Sequence, residues 1–175
     1  MKKLLIFILT MVFSTQLIFS QEAIKTDVQK ESTPIRYRTE LDSLILQGVK
    51  YINQSKFDEA INVLNEALLI NDTLWQIHYE KALAYYQKKE FDSVIKILGP
   101  FYGREDLNDN FYQIYGSSLD IQKYRDSAET VFNEGLRKFP NSGKLYMELG
   151  LLYIETERYV QAAASWENGI EVEPE

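Results

Sequence analysis

Most enzymatic and metal chemistry runs through histidine, cysteine and clustered carboxylates, and these are sparse in this 175-residue chain. It has one histidine, His78, and no cysteine. The missing cysteine excludes a disulfide, a thiolate nucleophile or metal site, and a lipid anchor on an N-terminal cysteine. His78 as a base or ligand would need companions, because a metal site takes three or four ligands. Its position instead falls in register with Leu44, Tyr112 and Tyr146, each 34 residues from the next, which favours packing. Glu155 with Glu157, and Glu171 with Glu173 and Glu175, could be drawn as paired carboxylates for acid–base work. Nothing near them would raise a pKa, so solvated helix ends are the better reading. Gly103-Arg104-Glu105-Asp106 is an exposed loop. No HExxH, phosphate-loop or GxSxG pattern occurs. The expectation is a protein that is not an enzyme, with no catalytic residue, metal or cofactor.

The elements behind these residues are clearest at the end of the chain. Tyr146, Leu149, Gly150 and Tyr153 lie at i, i+3, i+4 and i+7, one face of a helix. Tyr159, Ala162, Ala163, Trp166 and Ile170 trace a second. Glu155 to Arg158 breaks them, and Pro174 marks the stop. The pattern recurs. Gly48, Ala82, Gly116 and Gly150 are separated by 34, 34 and 34 residues. Ala60, Val94, Ala128 and Ala162 keep the same step, as do Leu64, Leu98, Phe132 and Trp166, and Tyr51, Tyr85, Leu119 and Tyr153. Two helices per fixed period predict a solenoid, in which each unit buries its apolar stripe on its neighbours.

The last unit resembles a tetratricopeptide repeat: Tyr146-x2-Leu149-Gly150-x2-Tyr153, then Ala162-x3-Trp166, then Pro174. The resemblance covers residues 41 to 175, with units near 41–74, 75–108, 109–142 and 143–175. It implies an all-α, right-handed alpha-solenoid of four stacked helix-turn-helix repeats, and a scaffold that binds a protein or peptide partner. In such proteins the first helix of each unit lines a concave face. Here that face would carry Ile45, Val49 and Ile52, then Tyr79, Leu83 and Tyr86, then Gln113, Ser117, Asp120 and Ile121, and last Met147, Leu151 and Ile154. It reads as apolar at both ends and polar in the middle, suited to an amphipathic helix or extended peptide. Some relatives grip a C-terminal carboxylate with Lys, Arg and Asn. The matching places hold Ile45, Val49, Glu80, Asn110 and Ile114, so that clamp is absent. The competing reading is that these residues are covered by residues 21–40 or by further chain.

Several departures from the repeat are expected to show. Thr39, with Asp42 three residues on, predicts an N-cap for the first helix. Asn71-Asp72 stands where later units have proline. Gly99-Pro100 should end a helix near Leu98, leaving 99–108 as a longer loop onto which Phe101 and Tyr102 fold back. Tyr124 comes one residue early for the turn aromatic. Phe132 with Gly135, and Trp166 with Gly169, suggest that a large side chain is balanced by a small one a turn later. Trp166 and Ile170 lack a cover on one side, which points to a longer protein or to a partner that supplies the cap.

The N-terminus differs. Met1-Lys2-Lys3 followed by apolar Leu4 to Phe13, except Thr10, reads as a signal peptide over 1–20, cleaved after Ser20. An uncleaved anchor is the alternative, although the run falls short of the roughly 20 apolar residues of a span. Residues 21–40 read as a flexible linker. The formal charge of −7 becomes 17−26 = −9 once Lys2 and Lys3 are removed, which argues against nucleic acid and anionic lipid partners. The chain is expected to be exported, periplasmic, and without stable membrane insertion after cleavage. A glycan- or solute-binding module stacking sugars on Tyr79 and Tyr86 is the alternative, as is the N-terminal interaction region of a longer protein.

Overall fold

A computed structural model describes residues 35–172. The expected signal peptide and residues 21–34 of the expected linker lie outside the described residues. Chain contacts divide the protein into 1–40 and 41–175; the architecture below is that of the second unit. The eight α-helices described are α1 (Ile35–Asn53), α2 (Phe57–Ile70), α3 (Trp75–Gln87), α4 (Phe91–Leu98), α5 (Asp109–Ile121), α6 (Arg125–Lys138), α7 (Gly143–Glu155) and α8 (Tyr159–Val172). No strand occurs among the described residues. They pair as α1/α2, α3/α4, α5/α6 and α7/α8, and each pair stacks on the next. No described helix is long and apolar enough to cross a membrane.

One device closes every hairpin. Ser55, Lys89, Lys123 and Glu157 each have positive φ, between 58° and 69°. They sit 34 residues apart, two residues beyond the end of each first helix. The next residue's N–H reaches back five residues: Lys56 to Tyr51, Glu90 to Tyr85, Tyr124 to Leu119 and Arg158 to Tyr153. This is a left-handed helix end built without glycine, where glycine would be the usual choice.

Small-against-large packing fixes the distance between the two helices of a unit. A Cβ on Gly48 would lie 2.7 Å from Leu64. A Cβ on Gly116 would collide with the Phe132 ring, and one on Gly150 with the Trp166 indole. Ala82 and Leu98 hold the same two columns in the second unit, both fully buried. The size balance expected for Phe132 and Gly135 is thus corrected. Gly135 is crowded by Tyr112 and Leu145, so it spaces its helix from α5 and the following α7. The residue that makes room for Phe132 is Gly116, across the hairpin.

The departures have physical outcomes. α1 begins at Ile35, so Thr39 lies inside a helix rather than at its cap. Asn71 ends α2 with its side chain accepting the Thr73 N–H at 3.0 Å, an Asx turn. α4 stops at Leu98 and passes into a 3-10 turn, Gly99–Phe101. Phe101 and Tyr102 do fold back onto the core. Phe101 packs on the His78 ring at 4.6 Å, while Asp72 O lies 2.7 Å from His78 Nε2. His78 is therefore a packing residue. At the third turn Arg125 takes the place of the aromatics Phe57, Phe91 and Tyr159. Tyr124 is left largely exposed.

Candidate functional site

The columns predicted to line a groove are the seam between successive units. Their fate changes along the stack. In the first unit Ile45 and Val49 are half-buried, Ile45 against the core, and Ile52 is only 9% exposed and belongs to that core. Ile52 is therefore not available to a partner. In the second, Tyr79 and Tyr86 are half-buried, and Leu83 packs against both core clusters. Tyr79 meets Trp75 edge-on at 6.1 Å, and Tyr86 meets Phe91 at 5.4 Å. With those rings engaged in packing, they are poor platforms for stacking a sugar. In the third unit Ser117 is buried, and Gln113 donates to Glu148 of the next unit at 3.0 Å. Only in the fourth is the column open: Met147 is 60%, Leu151 49% and Ile154 39% exposed.

The covering agent in the first three units is the next unit's first helix. Ile77 and Ala84 of α3 complete the core begun by Ala60, Leu64 and Ala67. Phe111 of α5 stands edge-on to Trp75 at 6.2 Å. Leu145 of α7 abuts Gly135. Leu83 is half-buried and packs on both clusters, so a glutamate there would disturb that packing as well as the surface.

Burial also shapes the charges along this seam. Desolvation raises the Glu80 carboxyl above its ordinary value. The Tyr79 phenol is raised by burial and then by the charges of Glu80 and Asp109. Tyr86 is raised by burial and by Glu148, against the lowering effect of its hydrogen bond with Ser117. Asp120 is raised by burial and by Glu155 despite Arg125 at 3.1 Å. These groups give the middle of the seam an acidic, partly desolvated character. Among the described residues no three of His, Cys, Asp and Glu come close enough to hold a metal ion.

Two seams are pinned in the same way: a cation from the following turn meets an acid on the preceding second helix. Lys88 meets Asp58 at 2.7 Å. Arg158 forms a forked pair with Glu129 at 2.6 and 2.8 Å, lies over the Tyr153 ring at 4.2 Å, and lowers the Glu129 carboxyl by hydrogen bonding. At the other end of the fourth unit the same columns change character. Asp58, Asp92 and Asp126 are followed by Val160, which is 85% exposed, and Glu129 is followed by Ala163. Val160 is a candidate surface residue that the apolar periodicity missed. Its signal was the 34-residue column, three aspartates and then a valine.

Residues 119–173 match the family model described as tetratricopeptide repeat. Among curated proteins, the chain is 27% identical over 121 residues to the BBSome complex member BBS4 of Bos taurus. It is 26% identical over 125 residues to the Hsp70-Hsp90 organising protein of Plasmodium falciparum. These matches cover 68% and 71% of this chain but only 23% and 17% of those proteins. Among solved structures, MamA residues 41-end from Desulfovibrio magneticus RS-1 superposes with a TM-score of 0.69 at 14% identity, covering 87% of this chain and 92% of that one. A MamA of AMB-1 gives 0.63 at 21% identity, covering 75% and 72%. At these identities the structures establish the shared fold.

Proposed function

We propose that this chain, whose residues 119–173 match the tetratricopeptide-repeat model and which shares that fold, is a non-catalytic protein-interaction scaffold of the bacterial cell envelope. Its binding surface is the open face of the fourth unit. The observation that carries this is the change along two columns: residues equivalent to Met147 and Leu151 are half-buried or buried in the earlier units and exposed in the fourth. Exposed apolar surface collected in one place marks an interaction site. The two curated relatives are, by their names, a member of one assembly and an organiser of others, which supports the same reading. The envelope location rests on the positive start and apolar run of residues 1–20.

A photo-crosslinking residue at position 151 should trap a partner protein in cells, and the same residue at Arg137, on exposed α6 surface, should not. Leu151→Glu should remove the adduct formed from position 147 while leaving the far-ultraviolet circular dichroism unchanged. Equal adducts from 151 and 137, or none from either, would defeat the scaffold reading at this face.

A further inference from the structure

We propose that the trailing face of the fourth unit docks a lysine- or arginine-bearing amphipathic helix of another protein. The helix lies across α7 and α8 as each internal first helix lies across the unit before it. This rests on the scaffold reading above and adds the chemistry of the partner.

Continuity with the internal seams defines the shape. Leu64 and Leu98 are fully buried and Phe132 is 1% exposed, but Trp166 in the same column is 37% exposed. Leu68, Tyr102 and Leu136 pack on the core, whereas Ile170 is 70% exposed. What covers the earlier members is a helix with bulky residues spaced as in Leu145, Leu149 and Leu152, all buried. A ligand of that spacing fits the same row of holes.

Charge defines the rest. The fourth unit's two cations are already engaged with the third: Lys144 with Asp109 at 3.1 Å and Arg158 with Glu129 at 2.6 Å. Glu155 is held by Arg125 at 2.6 Å. Glu157, Glu167 and Glu171 have no cation partner among the described residues. Glu167 follows Asn133 in its column, and Asn133 hydrogen-bonds Tyr153 of the succeeding unit, so Glu167 faces the open seam. Across the internal seams Lys88–Asp58, Lys144–Asp109 and Arg158–Glu129 place the cation on the incoming unit, while Arg125–Glu155 places it on the preceding one. An incoming helix with flanking Lys or Arg meets the three glutamates left without a cation, and one with Glu or Asp meets like charge.

A second copy of the chain is a poor occupant. The leading face of α1 presents Ser43, Gln47 and Lys50, all exposed, with Leu46 a lone exposed leucine among them, where the internal first helices present Ile77, Phe111 and Leu145, or Ala84, Ser118 and Leu152.

The test uses the full chain and two helix-stabilised peptides. Both carry leucine at i, i+4 and i+7; one has lysine flanks and the other glutamate flanks. Trp166 is the reporter, because the other tryptophan, Trp75, is buried. The lysine peptide should blue-shift Trp166 emission and bind at least tenfold more tightly than the glutamate peptide at low salt. The gap should narrow as salt rises, and Glu167→Lys with Glu171→Lys should invert the preference. Equal binding of both peptides, or no response to either, overturns the proposal. So does concentration-dependent dimerisation that buries Trp166, or a Trp166 that becomes accessible only when residues 21–34 are deleted. A chain that crosslinks from position 151 yet ignores peptide charge loses this inference and keeps the scaffold reading. A chain that responds to peptide charge but crosslinks nothing loses the scaffold reading.

Discussion

The two ends of the stack solve the same problem differently. Any solenoid has a leading face and a trailing face without a neighbouring repeat, and exposed apolar surface there invites association. The leading face of α1 is finished mainly in polar residues, Ser43, Gln47 and Lys50, beside the 70% exposed Leu46, in the columns that hold fully buried side chains such as Ile77, Leu145 and Leu152 further on. The trailing face of α8 keeps Val160, Trp166 and Ile170 exposed. The backbone hairpins are alike at both ends, down to the positive-φ residue in each turn. The difference therefore lies in side-chain chemistry alone. A face left apolar where a polar alternative was open to the same scaffold is best understood as a face that receives something.

The largest test of this contrast compares one column at two depths. Phe132→Ala should cost about 3–5 kcal/mol, the usual loss for a fully buried aromatic whose cavity cannot close. Trp166→Ala removes a larger side chain but should cost less, because its indole is already partly in water. Urea titrations followed by circular dichroism measure both. If the two losses are equal, the fourth unit is as well covered as the third and the trailing face is not open. The converse alteration works on α1. Ser43→Leu with Lys50→Leu should give it an apolar leading face matched to α8. Such a head-to-tail contact does not close on itself, so association should grow with concentration into open chains. Sedimentation velocity would reveal it. A variant that stays monomeric would mean that those polar residues are not what keeps copies apart.

Much of this was legible in the sequence because repetition multiplies weak signals. No single Gly or Ala identifies a helix crossing, but Gly48, Ala82, Gly116 and Gly150 at one step do, and the structure places three of them against Leu64, Phe132 and Trp166. The early stop at Leu98 was legible because Gly99-Pro100 opposes a helix whatever its surroundings. What failed had a common cause. The partner of Gly135, the burial of Ile52 and the packing of half-buried Leu83 on both clusters all depend on how far one unit leans on the next. Periodicity gives the face of a helix, but not how much of that face its neighbour covers. Thr39 failed locally: an N-cap is a position at a helix start, and α1 starts four residues earlier.

The smallest effect concerns the turns, and it asks whether the two ends share one stability. Lys89 and Glu157 hold the same left-handed position, with φ of 62° and 60°. A side chain there costs backbone energy that glycine avoids, and the gain is partly offset by the greater freedom of glycine in the unfolded chain. Each substitution to glycine should therefore stabilise its own turn by about 0.5 kcal/mol. Stability in a repeat array is a sum of local and nearest-neighbour contributions, so the readout depends on place. Lys89→Gly, between two covered seams, should raise the urea midpoint of the whole chain. Glu157→Gly, at the open end, should slow amide hydrogen exchange in α7 and α8 while leaving the global midpoint nearly still, because that end opens by itself. If Glu157→Gly raises the midpoint as much as Lys89→Gly does, the fourth unit unfolds only with the rest, and the trailing face lacks the local freedom to adapt to an incoming helix.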